Sequence, residues 1–177
     1  MILKIVNAKN PVLRQIAKPV EKVDKKVLQL VKDMKETLYA QKDPEGVGLA
    51  APQVGKSLRI FLMKYKKEER VIINPEILSR TKHKKQANKT KDKHDILEGC
   101  LSLPHFYGPI KRDASLKLKY LNEKGEQVVE LFDGFLAQII EHEFDHLEGI
   151  LFVDHILKQK APLYKFKGKE WEEVELS

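Results

Sequence analysis

The segment His142-Glu143-Phe144-Asp145-His146 holds the residues best suited to chemistry. In a helix, residues i and i+4 share a face, so His142 and His146 can bind one metal ion. Glu143 follows the first histidine, where its carboxylate can take a proton from a water that the ion polarises. The plainer reading is a surface turn with two solvated histidines, since His-Glu and Asp-His are ordinary polar pairs. The flanks favour the metal. Phe135, Leu136, Ile139, Ile140, Phe144 and Leu147 recur at near-helical spacing, Gly149 offers a stop, and Asp133 stands as an N-cap ahead of Gly134.

A third ligand must come from elsewhere. The run from His142 follows the metzincin string His-Glu-x-x-His-x-x-Gly-x-x-His up to its last position, where Phe152 cannot bind metal. Cys100 is the best candidate. It is the sole cysteine in 177 residues, which excludes an intramolecular disulfide and fits a reducing compartment. A lone cysteine is more often a small buried hydrophobe. Here Glu98-Gly99-Cys100-Leu101-Ser102-Leu103-Pro104 puts it on a constrained turn between Gly99 and Pro104. One cysteine and two histidines leave a fourth position open, the mark of a catalytic rather than a structural site. Two rivals stand beside this reading. A zinc protease would take a downstream glutamate such as Glu170 and make Cys100 dispensable. A non-catalytic metal module that contacts RNA would make Glu143 dispensable.

Gly46-Val47-Gly48-Leu49-Ala50-Ala51-Pro52-Gln53 is the third feature. It matches Gly-x-Gly-x-x-Ala, the dinucleotide fingerprint, but that turn needs a strand before it and a long helix after it. The polar stretch 41–45 precedes it, and Pro52 and Gly55 leave no room for a long helix behind it. Small residues here instead let a substrate backbone lie against the chain, with the Gln53 amide offered to a carbonyl oxygen.

Taken in order, Gly-Val-Gly-Leu-Ala-Ala-Pro-Gln, Glu-Gly-Cys-Leu-Ser and His-Glu-Phe-Asp-His resemble the three signature motifs of the peptide deformylases. Asn10-Pro11-Val12-Leu13-Arg14 and Ala17-Lys18-Pro19-Val20 resemble the start of that family, so the likeness spans nearly the whole chain. The resemblance implies removal of the formyl group from N-formylmethionine on nascent polypeptides. It makes Cys100, His142 and His146 the metal ligands, Glu143 the acid/base, and Gln53 with the backbone N–H of Leu101 the donors to the formyl oxygen. It implies one divalent ion per chain, ferrous iron physiologically, with zinc, nickel or cobalt able to occupy the site. A methionine pocket is implied around Gly46, Val47, Gly48, Glu98, Gly99, Phe135, Ile139 and His142. Gln138 stands beside these positions, where an aliphatic residue is more usual. The likeness also pairs Arg112 with Asp145, which points away from the metal face and would brace the helix against the Cys100 strand.

These residues need a scaffold. An amphipathic helix is expected from Asp24 to Gln41, with Asp24 as its cap. Strand signals follow at Leu58 to Tyr65, Val71 to Asn74, Leu116 to Leu121 and Val128 to Phe132, with Asn122-Glu123-Lys124-Gly125 turning between the last two. The expectation is α+β: one domain over 1–177, antiparallel or mixed sheets around the metal-binding helix, and a strand or hairpin at 162–177.

The formal net charge is +7, and Lys82, Lys84, Lys85, Lys89, Lys91 and Lys93 concentrate much of it in 80–94. The bland reading is a solvated insertion. The sharper one is a contact with ribosomal RNA. No apolar run approaches the roughly 18 residues a membrane span needs, and the opening shows neither a secretory signal nor a transit peptide. A cytoplasmic monomer is expected, with formylated nascent peptides as its substrates and no DNA or membrane partner.

Overall fold

The computed structural model describes residues 1–82 and 97–176. Most of the Lys-rich stretch 80–94 therefore lies outside the described residues. The first helix, α1 (Lys25–Tyr39), starts where Asp24 accepts a hydrogen bond from the Val27 amide at 2.9 Å. Val27, Val31, Met34 and Leu38 recur on its buried face.

That face packs on an antiparallel sheet of five strands: β1 (Gly48–Ala50), β2 (Ile60–Tyr65), β3 (Glu68–Thr81), β6 (Ser115–Leu121) and β7 (Gln127–Asp133), in the order β1-β2-β3-β6-β7. Ile60-Phe61-Leu62-Met63 reads as an unbroken apolar run because β2 is covered on both faces. Ile60 and Leu62 join the α1 core, while Phe61 and Met63 join the core under α2 (Gly134–Leu147). Successive side chains leave a strand on opposite faces, so one short segment anchors both helices.

A second sheet holds β4 (Glu98–Cys100), β5 (Leu103–Gly108), β8 (Leu163–Lys167) and β9 (Glu170–Val174), in that order. With α3 (Phe152–Gln159) it encloses a smaller core of Cys100, Ile110, Phe152, Ile156 and Leu163. The expected terminal hairpin is β8–β9. Every pairing between these named strands is antiparallel, and among the described residues the parallel component is one isolated bridge, Lys18 to Leu58. The architecture is α+β.

Two local expectations needed correction. The strand expected to end at Asn74 continues to Thr81, because Pro75 sits where the β3–β6 register shifts between Ile73 and Glu76. An irregularity of that kind accommodates a residue that cannot donate to the ladder. Asn74 takes φ +49°, and its side chain accepts from the Val20 amide at 2.8 Å and donates to the Val20 carbonyl at 2.7 Å. Asp133 occupies the N-cap of α2 but its side chain caps nothing; it is still paired with Ser115 as the last residue of β7. Gly149, at φ +73°, follows α2 where an added Cβ would meet the Arg14 carbonyl oxygen at 2.6 Å. Among the described residues no helix is long and apolar enough to cross a membrane.

Candidate metal centre and its cavity

Helix α2 places His142 and His146 one turn apart, and β4 delivers Cys100 to the same point from the second sheet. The ring Nε2 atoms of His142 and His146 are 3.2 Å apart, and Cys100 Sγ is 3.4 Å from His146 Nε2. The three donor atoms lie within 4.8 Å of one another, all on buried residues. Two ring nitrogens this close cannot both carry protons toward each other. A sulfur and two nitrogen lone pairs converging in a buried space form a donor set for zinc or ferrous iron. Glu170, the rival third ligand, stands exposed at the start of β9, outside this cluster.

The histidines are held unequally. Burial opposes a charged His142, yet the Glu98 carboxylate and then Cys100 outweigh it and hold its pKa well above the ordinary value. Burial and the charge of His142 hold His146 well below. Glu98 would be pushed up by burial, but His142 and Arg112 keep it far below the usual carboxylate range. Its Oε2 is 2.8 Å from His142 Nδ1. Arg112 donates to both oxygens of Glu98, at 3.0 and 2.6 Å, and to Asp145 at 2.6 Å. Asp145 in turn meets His155 Nε2 at 2.8 Å. A continuous polar chain thus runs from His142 through Glu98, Arg112 and Asp145 to His155 on α3. His155 is not legible from the sequence, because nothing in its spacing ties it to the metal motif.

Glu143 is buried. Burial, the leading cause, pushes its pKa up to about 7, and its Oε2 has no hydrogen-bond partner among the described residues. A carboxyl group poised near neutrality can both take and return a proton. Its other oxygen lies against β1, where a Cβ on Gly48 would come within 2.5 Å of Oε1. Gly48 lines the cavity, and its lack of a side chain also makes room for the Glu143 carboxylate. Likewise Tyr107 lies over Gly99, where a Cβ would meet its ring at 2.6 Å, and Leu38 lies over Gly46.

Gln53 is buried, with its oxygen accepting from the Ala50 amide at 2.9 Å. That bond aims its amide donors at Cys100 Sγ (3.5 Å) and Ser102 Oγ (3.2 Å). Ser102 is a further buried polar neighbour that sequence alone does not single out. A cavity of about 330 Å3 opens beside these groups. It is lined by Gly46, Val47, Gly48, Glu98, Gly99, Cys100, Leu101, Phe135, Ile139, His142 and Glu143, and also by Gln138 and Tyr107. Gln138 turns its amide toward Glu98 at 3.4 Å, so its polar end is spent on the carboxylate.

The sequence profile described as polypeptide deformylase matches residues 2–162. The chain belongs to that family. Peptide deformylase from Pseudothermotoga lettingae is 44% identical over 156 residues, 88% of this chain and 84% of that one. The Phenylobacterium zucineum peptide deformylase is 42% identical over 173 residues, covering 94% and 95% of the two chains. The crystal structure of peptide deformylase from Thermotoga maritima superposes with a TM-score of 0.77 at 41% identity, over 88% of this chain and 97% of that one. That of the Synechococcus elongatus peptide deformylase in complex with actinonin gives 0.76 at 35% identity, over 86% and 78%. As a member of the deformylases the chain is a hydrolase acting in protein biosynthesis. The deformylase profile stops at residue 162, short of the β8–β9 hairpin.

Proposed function

We propose that this deformylase removes the formyl group from the N-formylmethionine of nascent polypeptides, in the cytoplasm and as a monomer, with one divalent ion held by Cys100, His142 and His146. The observation that carries the reading is a three-donor cluster beside an enclosed, near-neutral glutamate in a cavity of ligand size. A divalent ion at that cluster supplies Lewis acidity toward the formyl oxygen and the attacking water at neutral pH. Ferrous iron is the physiological ion in this reading, and zinc, nickel or cobalt can take its place.

The chain's own groups do the rest. Glu143 accepts the proton of the attacking water and delivers it to the departing amine. Gln53 and the backbone N–H of Leu101 donate to the oxygen that gains negative charge, each worth roughly 3 kcal/mol of barrier. Val47, Phe135 and Ile139 enclose the unbranched thioether. The short strands β1 and β4 end their respective sheets and both line the cavity, so an extended peptide can lie between them with its backbone paired on either side.

The test is metal analysis together with formate release from formyl-Met-Ala-Ser under anaerobic conditions. A stoichiometric divalent ion and metal-dependent formate release are expected. Peptide-bond cleavage without formate would favour the protease rival.

A further inference from the structure

The formylated residue of a nascent chain is followed by many others, so the peptide must leave the cavity across its rim. The lining includes exposed Asp43 and Glu45 and half-buried Tyr107. Tyr107 pairs with Gly99 on β4 and with Tyr164 on β8, and its ring lies across Gly99. Trp171 of β9 meets it edge-on, with ring centroids 5.5 Å apart and planes at 70°. Trp171 is held from behind by Phe166, its partner across the hairpin, at 4.8 Å. Trp171 nonetheless remains 52% exposed.

We infer that Trp171 is a specificity-determining residue: with Tyr107 it forms an aromatic shelf at the cavity rim that takes the side chain following the methionine and favours large apolar or aromatic side chains over small ones. The inference rests on the deformylase reading proposed above. Tyr107 lines the cavity, Trp171 abuts Tyr107, and Trp171 is half exposed. Gly99 belongs to the same arrangement, because any side chain there would push Tyr107 off the shelf.

Trp171 is the only tryptophan in the chain, so its emission reports on the shelf directly. The first measurement titrates the metal-loaded protein with the unformylated peptides Met-Phe-Ser and Met-Ala-Ser. A saturable change in Trp171 emission is expected with the phenylalanine peptide at several-fold lower concentration than with the alanine peptide. The second compares formate release from formyl-Met-Phe-Ser and formyl-Met-Ala-Ser. The parent should favour the phenylalanine peptide in kcat/KM by roughly two- to tenfold, the range expected of one aromatic contact. Trp171→Ala should abolish that preference through a raised KM for the phenylalanine peptide with its kcat retained, and Trp171→Phe should restore part of it. Equal emission titrations for the two peptides, or a ratio unaltered in Trp171→Ala, would overturn the inference while leaving the deformylase reading intact. No formate from either peptide with the metal-loaded parent would overturn the reading, and the inference with it.

Discussion

Glu98 Oε2 lies 2.8 Å from Nδ1 of His142, inside the protein, and thereby leaves Nε2 of that ring directed at the donor cluster. A carboxylate behind a metal-binding imidazole fixes the tautomer and the ring plane and raises ligand basicity. By family likeness Glu98 is a pocket wall. It lines the cavity, but its carboxylate is engaged by His142 and by the two-pronged Arg112.

Glu98→Gln should therefore weaken ion retention by about 10- to 100-fold, the usual effect of removing such a partner. Competition against a chelator measures it, and a variant that holds its ion as tightly as the parent would contradict the assignment. Arg112→Ala removes the cation that Glu98 and Asp145 share, leaving them His142 and His155 alone, and should cost about 3 kcal/mol in chemical denaturation.

Cys100→Ala should lose most of its metal, because two histidines alone hold the ion poorly. Glu143→Gln should keep the metal and lose formate release by at least about 10²- to 10⁴-fold, since the proposed proton carrier is gone. Full metal content and activity in Cys100→Ala would point to a different third ligand.

Gly48→Ala tests the close approach of β1 to the Glu143 carboxylate. The new methyl would sit 2.5 Å from Glu143 Oε1 and 2.8 Å from its carboxyl carbon, so the side chain must move. A displacement on the order of 1 Å at a catalytic group can cost about 10²-fold in rate. Metal content should stay at the parent's level. Activity within a factor of about two of the parent would show that Glu143 tolerates the shift or does not carry the proton.

Acid stability should depend on Glu130 of β7. Burial pushes its pKa up, but Arg70, donating at 2.8 Å, and the Tyr120 hydroxyl, also at 2.8 Å, outweigh burial and hold it below the ordinary value. A carboxylate with a depressed folded pKa stabilises the protein above its unfolded pKa, and the contribution vanishes as pH falls through the folded value. Glu130→Gln should thus be less stable than the parent near about pH 7, with the gap closing below about pH 4. Urea midpoints across that range decide it; a gap that widens in acid would reverse the sign.

Local spacing already determined a good part of this molecule. His142 and His146 share a helix face because four residues make about one turn, and Phe135, Ile139 and Ile140 identify the helix that carries them. Asp24 marks the start of α1, and the alternation around Asn122-Glu123-Lys124-Gly125 marks the β6–β7 hairpin. These are properties of neighbours in the chain, so the chain displays them. Cys100 was reachable only as a lone cysteine in an unusual setting, and Arg112 with Asp145 only through family likeness. The rest depended on register between distant segments. Nothing in the spacing of Glu98 and His142 says that a carboxylate on β4 meets a ring on α2, and nothing local says that Gly48 makes room for Glu143. Trp171 reaches Tyr107 only because β8 and β9 extend the sheet that β4 begins. Pro75 reads as the end of a strand, yet β3 passes through it because β6 tolerates the shift. Such contacts are fixed by how two sheets and a helix pack, where one residue of slip would exchange every inward side chain for its neighbour.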